Sequence, residues 1–222
     1  MLDTALPSDP TLDEMRAALG PAIAAEAAFD GWGDVALTAV AIRLGIDPGH
    51  ARLAFPDGAA GMIDAWYAAV DAALARDFPA ERVAALKVRE RIAALVEARL
   101  ALMRADREAA RRALTVLARP GNAAAAARLG WRAADTMWRI AGDTATDLNH
   151  YSKRATLAAI YGATILVWLN DGSADGEATR GFLARRIDGL MRFEKAKAAF
   201  RVPAARRFSV TRLLGRLRYP AT

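Results

Sequence analysis

Asp143 and Asp147, four residues apart, are the nearest approach in this 222-residue sequence to a pair of catalytic carboxylates. A paired acid and base also needs a nucleophile, a positioned proton acceptor or a metal beside it, and none accompanies these two. Acids near a helix start are favoured by capping and by the helix dipole, and Thr144 with Asp147 has the spacing of an approximate capping box behind a helix stop at Gly142. No catalytic residue is assigned and the chain is read as a non-enzyme. The two histidines, His50 and His150, stand in no metal-ligand spacing, and the sequence has no cysteine, so thiolate zinc sites and cysteine nucleophiles are excluded together. Neither a metal nor a cofactor is expected.

Charge is unevenly placed. The net +6 combines an acidic start, in which residues 1–71 carry 11 acids against Arg16, Arg43 and Arg52, with a basic end, in which residues 195–222 carry eight Lys or Arg and no acid. Without that end the remainder is slightly acidic, so an anionic partner belongs at the C-terminus. There Val210, Leu213, Leu214 and Leu217 follow helical spacing, Phe208 adds to the apolar side, and Arg212, Arg216 and Arg218 form the polar side. This is the pattern of a helix lying in a membrane interface, with arginines for anionic headgroups. The apolar run from Ala155 to Leu169 has about fifteen residues, where a membrane span needs roughly twenty. The acidic first residues lack the pattern of a secretory or organelle leader, so the expected location is a bacterial cytoplasm, peripheral on the inner face of the membrane.

Alanine, leucine and arginine dominate, and apolar residues recur at three- and four-residue spacing, which predicts an all-α fold. Helices are expected over 11–29 with a break or kink at Gly20-Pro21, then 35–44, 48–54 and 58–76. A second block is expected as helices 81–104, 107–118, 123–141, 144–170 and 175–197, with a last short helix, 204–218, beyond Pro203. The organisation that follows is a helix-turn-helix module over 1–78, a bundle over 79–200 and a membrane-docking helix over 201–222.

Phe29-Asp30-Gly31-Trp32, two short helices and Phe55-Pro56-Asp57 resemble the N-terminal module of TetR-type repressors. That module reads DNA with its second short helix, where several cations are needed for phosphate contact and only Arg52 is present. An acidic module of this kind predicts no nucleic-acid partner. A regulator with a lipid effector stays as the alternative function.

Trp138, Gly142, Asp143, Thr144, Thr146, Asp147, Asn149, Tyr151, Lys153, Arg154 and Leu157 fall in one register that resembles the accessory lipid-binding family of coenzyme Q biosynthesis, the Coq-nine family. The resemblance implies a TetR-like fold without DNA binding, a pocket for isoprenoid or quinone-precursor lipids, and a surface that contacts the demethoxyubiquinone hydroxylase. It implies a hydroxylase patch of Met137, Asp147, Leu148, His150, Tyr151 and Arg154; some relatives have Trp where this chain has His150. Lipid contact is assigned to Trp138, Leu157, Ala158, Tyr161, Gly162, Ile165 and Trp168, whose small and large apolar types suit either a cavity or a filled core. Such folds commonly dimerise through long C-terminal helices.

Overall fold

Thr11 starts the first helix with a reciprocal cap: the Glu14 amide donates to the Thr11 hydroxyl at 3.3 Å, and the Thr11 amide donates to the Glu14 carboxylate at 2.8 Å. The computed structural model describes residue 7 and residues 10–79, 82, 84–144, 146 and 148–200, and all the regular structure among these is helical. The opening helix, α1 (Leu12–Asp30), runs through Pro21 without the expected break. Gly20 serves contact instead, since a Cβ there would lie 2.8 Å from the backbone of Ala65 and Trp66.

After α1 come α2 (Asp34–Arg43), α3 (Pro48–Leu53) and α4 (Gly58–Asp77), close to the expected helix-turn-helix. Asp47 caps α3 by accepting from the His50 amide at 2.9 Å, and Pro48 follows at the first position, where a missing N–H costs nothing. The Trp32 indole donates to the Ala109 carbonyl at 2.9 Å and so ties this module to the bundle, while Trp66 packs 5.4 Å from Trp32.

The bundle consists of α5 (Val88–Leu102), α6 (Arg107–Leu117), α7 (Ala123–Ile140) and α8 (Leu148–Leu169), and α9 (Glu177–Phe200) follows it in the chain. Two starts differ from expectation. Arg82 and Ala84 are helical, but the chain turns at Ala85 and Leu86 before α5 begins at Val88, and Arg91 donates to the carbonyls of Ala84 and Leu86 at that turn. The α8 helix begins at Leu148 rather than at 144, and Asp143 is held by side chains that reach back from the first turns of α8. Gly142 behaves as expected: at φ 84° it ends α7, with its amide on the Arg139 carbonyl and the Asp143 amide on that of Trp138.

Asp171 receives the Ser173 and Thr179 amides at 2.9 and 2.7 Å, which fixes the turn into α9. Residues 1–184 form one compact unit, centred on α4, whose Met62, Ile63, Trp66 and Leu74 are fully buried. Residues 185–222 form a second, described as the continuation of α9 to Phe200. No described helix is long and apolar enough to cross a membrane. The expected membrane-binding residues Phe208, Val210, Arg212, Leu213, Leu214, Arg216, Leu217 and Arg218 lie outside the described residues.

Candidate functional site

The hairpin of α7 and α8 is closed by a buried ion-pair lock. Arg154 donates to Asp135 on α7 at 2.6 Å and to Asp143 in the loop at 3.0 Å, and Lys153 donates to Asp143 at 2.6 Å. Burial alone would raise the Asp143 carboxyl, but the hydrogen bonds from Lys153 and Arg154 outweigh it and hold the group below the ordinary aspartate value of 3.8. The Trp138 indole donates to the Lys153 carbonyl at 3.1 Å, and the Lys153 ammonium sits 5.2 Å above the same ring. Asp135, Asp143, Lys153 and Arg154 are thus paired with one another. Among the described residues no group of three or more His, Asp or Glu is placed to hold a metal.

This lock revises the expected hydroxylase patch. Met137 is fully buried and Arg154 only 2% exposed, because α7 turns that face inward and the two aspartates enclose the guanidinium; neither presents a surface to a partner. Asp147 and the side chain of Leu148 lie outside the described residues. What remains is an aromatic surface: Tyr151 is 60% exposed, packs edge-on to His150 at 5.1 Å, and lies 6.1 Å from Trp131. Trp131 was not singled out by motif, since its contact with Tyr151 crosses between two helices.

A cavity of about 430 Å³ opens between α6, α7 and α8, within the size range of small-molecule sites. Four of the expected lipid residues line it, namely Ala158, Tyr161, Gly162 and Ile165, opposite Leu117, Leu129 and Ala133. The other three do not. Leu157 packs in the core, Trp138 belongs to the lock, and Trp168 lies at a separate cleft with Arg107 stacked 5.4 Å from its ring.

The polar lining gathers in one place, with Tyr67, Arg99 and Tyr161 side by side and the rest of the wall carbon. Arg99 is 1% exposed and donates to Asp71 at 2.9 Å and to the Tyr161 hydroxyl, with the Tyr67 and Tyr161 rings 5.1 and 4.9 Å from its guanidinium. Desolvation works against the charge on Arg99, but the Tyr161, Asp71 and Tyr67 oxygens more than offset it. Asp71 is shared with Arg132 on α7 at 3.1 Å. The sequence did carry one signal for this cluster: Arg99 falls in phase with Ile92, Leu95 and Val96, on the buried stripe of α5.

The two helices that carry the lock and the outer cavity wall lie within residues 123–194, the stretch that matches the family model described as COQ9. Over this stretch the chain is similar to the COQ9 family. The human ubiquinone biosynthesis protein COQ9, mitochondrial, is 43% identical over 96 residues, which cover 43% of this chain and 30% of that protein. The probable ubiquinone biosynthesis protein coq9, mitochondrial, of Dictyostelium discoideum is 33% identical over 85 residues, covering 38% and 28%. The similarity thus spans less than a third of these relatives. A crystal structure of a TetR transcriptional regulator from Nitrosomonas europaea ATCC 19718 superposes with TM-score 0.64 and 24% identity over 80% of this chain and 98% of that one, which establishes a TetR-like fold. Arg52, the single cation expected on the second short helix α3, donates to Asp34 and to Thr38, each at 3.2 Å.

Proposed function

We propose that this chain serves ubiquinone biosynthesis as a non-catalytic lipid carrier, taking up an isoprenoid quinone precursor and presenting it to the demethoxyubiquinone hydroxylase at the membrane. The observation that carries this reading is the apolar cavity, because part of its wall is built by the COQ9 segment itself: Ala158, Gly162 and Ile165 of α8 face Leu129 and Ala133 of α7. An enzyme would need an unpaired base or a metal cluster, whereas the ionised side chains of the lock neutralise one another. Burying a long apolar chain in such a wall is favourable by roughly 25 cal/mol per Å².

In this mechanism the basic tail docks on an anionic leaflet, the lipid passes between membrane and cavity, and the exposed Tyr151 with His150 and Trp131 anchors the hydroxylase. The lock keeps the α7–α8 hairpin rigid, so that this aromatic surface holds its shape. Mass spectrometry of lipids extracted from the full chain, purified without detergent, tests cargo; an isoprenoid or quinone species is expected, and a chain that neither retains nor takes up such lipid from vesicles contradicts the proposal. Capture of the purified hydroxylase by the full chain tests the partner. Tyr151→Ala should weaken capture at least tenfold, and unchanged capture removes Tyr151 from the interface.

A further inference from the structure

The Tyr67 hydroxyl is buried and has no protein partner, one of two such side-chain polar atoms among the described residues, the other being Arg107 Nε. A buried hydroxyl without a partner is costly, and Tyr67 is 5% exposed on the fully packed face of α4. The residue lines the cavity beside Arg99 and Tyr161, so this unsatisfied hydroxyl falls at the polar corner of an otherwise carbon wall.

We propose that this corner seats the polar head of the bound lipid, and that the head is a neutral oxygen acceptor, such as a ring or ester carbonyl, taking a hydrogen bond from Tyr67. This rests on the lipid-carrier reading above and adds to it the chemistry and direction of the ligand: oxygen inward at α4 and α5, apolar chain outward past Gly162 and the exposed Leu166. Neutrality follows from the surroundings. Asp71 lies 2.9 Å from Arg99 and, with Asp64 paired to the Arg132 that shares Asp71, balances its charge, so an anionic head would enter an apolar wall without a counter-charge. Burial pushes the Tyr67 phenol up to about 12, so the group is a proton donor at physiological pH.

Equilibrium dialysis of the full chain against three probes tests this: decylubiquinone, decylbenzene as its oxygen-free counterpart, and dihexanoylphosphatidylcholine as a source of ester carbonyls. Tyr67→Phe removes only the oxygen. A quinone head predicts about tenfold weaker decylubiquinone binding by the variant and unchanged decylbenzene binding. The same loss confined to the phospholipid also supports the polar corner and assigns it an ester. If wild type binds the probes and Tyr67→Phe alters none, the corner is not a head-group site, although the cavity remains a lipid site. If no probe binds wild type, the carrier reading fails and this inference fails with it. Circular dichroism of Tyr67→Phe confirms that any loss arises in a folded chain.

Discussion

Arg154 meets Asp143 at 3.0 Å across the turn between α7 and α8, and the same guanidinium reaches Asp135 at 2.6 Å. Side chains that read in the linear motif as a partner surface are thereby turned into the fastener of a hairpin, with Trp138 and Lys153 completing it. Arg154→Ala leaves two mostly buried carboxylates facing one another. Loss of a buried pair costs about 3 kcal/mol, which in a chain of this size lowers the melting temperature by roughly 6–12 °C. Thermal circular dichroism checks it, and a variant that melts with wild type would show that the lock is not structural.

Acid should loosen both this turn and the turn into α9. Asp143 and Asp171 are both held below 3.8, the first by Lys153 and Arg154 despite burial, the second by hydrogen bonds from Ser173 and Thr179. A carboxyl whose folded value lies below its unfolded one leaves the unfolded chain binding more protons, so its stabilisation is complete above the unfolded value and is lost as pH falls through the folded value. Stability should therefore hold down to about pH 5 and decline below about pH 4. Asp171→Asn should flatten that decline when denaturant midpoints are compared between pH 6 and pH 3.

Gly20→Ala should destabilise, although alanine is normally the better helix former by about 1 kcal/mol. Its methyl would stand 2.8 Å from the Ala65 and Trp66 backbone, which cannot move without parting α1 from α4. A loss of about 2 kcal/mol is expected in urea unfolding. A gain would mean that the two helices separate at little cost.

Tyr67→Phe, in contrast, should raise the melting temperature of the lipid-free chain, because it removes an orphan hydroxyl and leaves the ring against Trp66 and Arg99. About 1 kcal/mol, or roughly 2–4 °C, is the expected gain. A fall of similar size would show that the hydroxyl has a partner in the folded protein.

Local rules made much of this fold legible. Asp47 before Pro48 starts α3 and the positive φ of Gly142 stops α7, and both act within a few residues. The misread boundaries depend on distant groups. Gly20-Pro21 reads as a break or kink, yet α1 continues through it with Gly20 against α4, and the helix expected from 81 is interrupted by a turn at Ala85 and Leu86, where Arg91 takes the carbonyls of Ala84 and Leu86. At the site, Ala158, Tyr161, Gly162 and Ile165 of the expected lipid set line one cavity, whereas Trp138, Leu157 and Trp168 of the same set do not. A motif register says nothing about which way a side chain turns, so Met137 and Arg154 were assigned to a surface they do not reach. The cluster of Arg99, Asp71 and Tyr161 joins residues 28 and 62 positions apart, and only the phase of Arg99 on α5 hinted at it.

The central claim is that the cavity holds lipid, and Gly162 offers a direct way to close it. A Cβ at Gly162 meets nothing within 4 Å, so Gly162→Phe can fill the cavity without disturbing the backbone, and replacing glycine within a helix carries no propensity cost. Decylubiquinone binding to the full-length variant, measured by equilibrium dialysis, should fall at least tenfold while the melting temperature stays at or above that of wild type. A folded Gly162→Phe chain that binds decylubiquinone as wild type does would contradict the account.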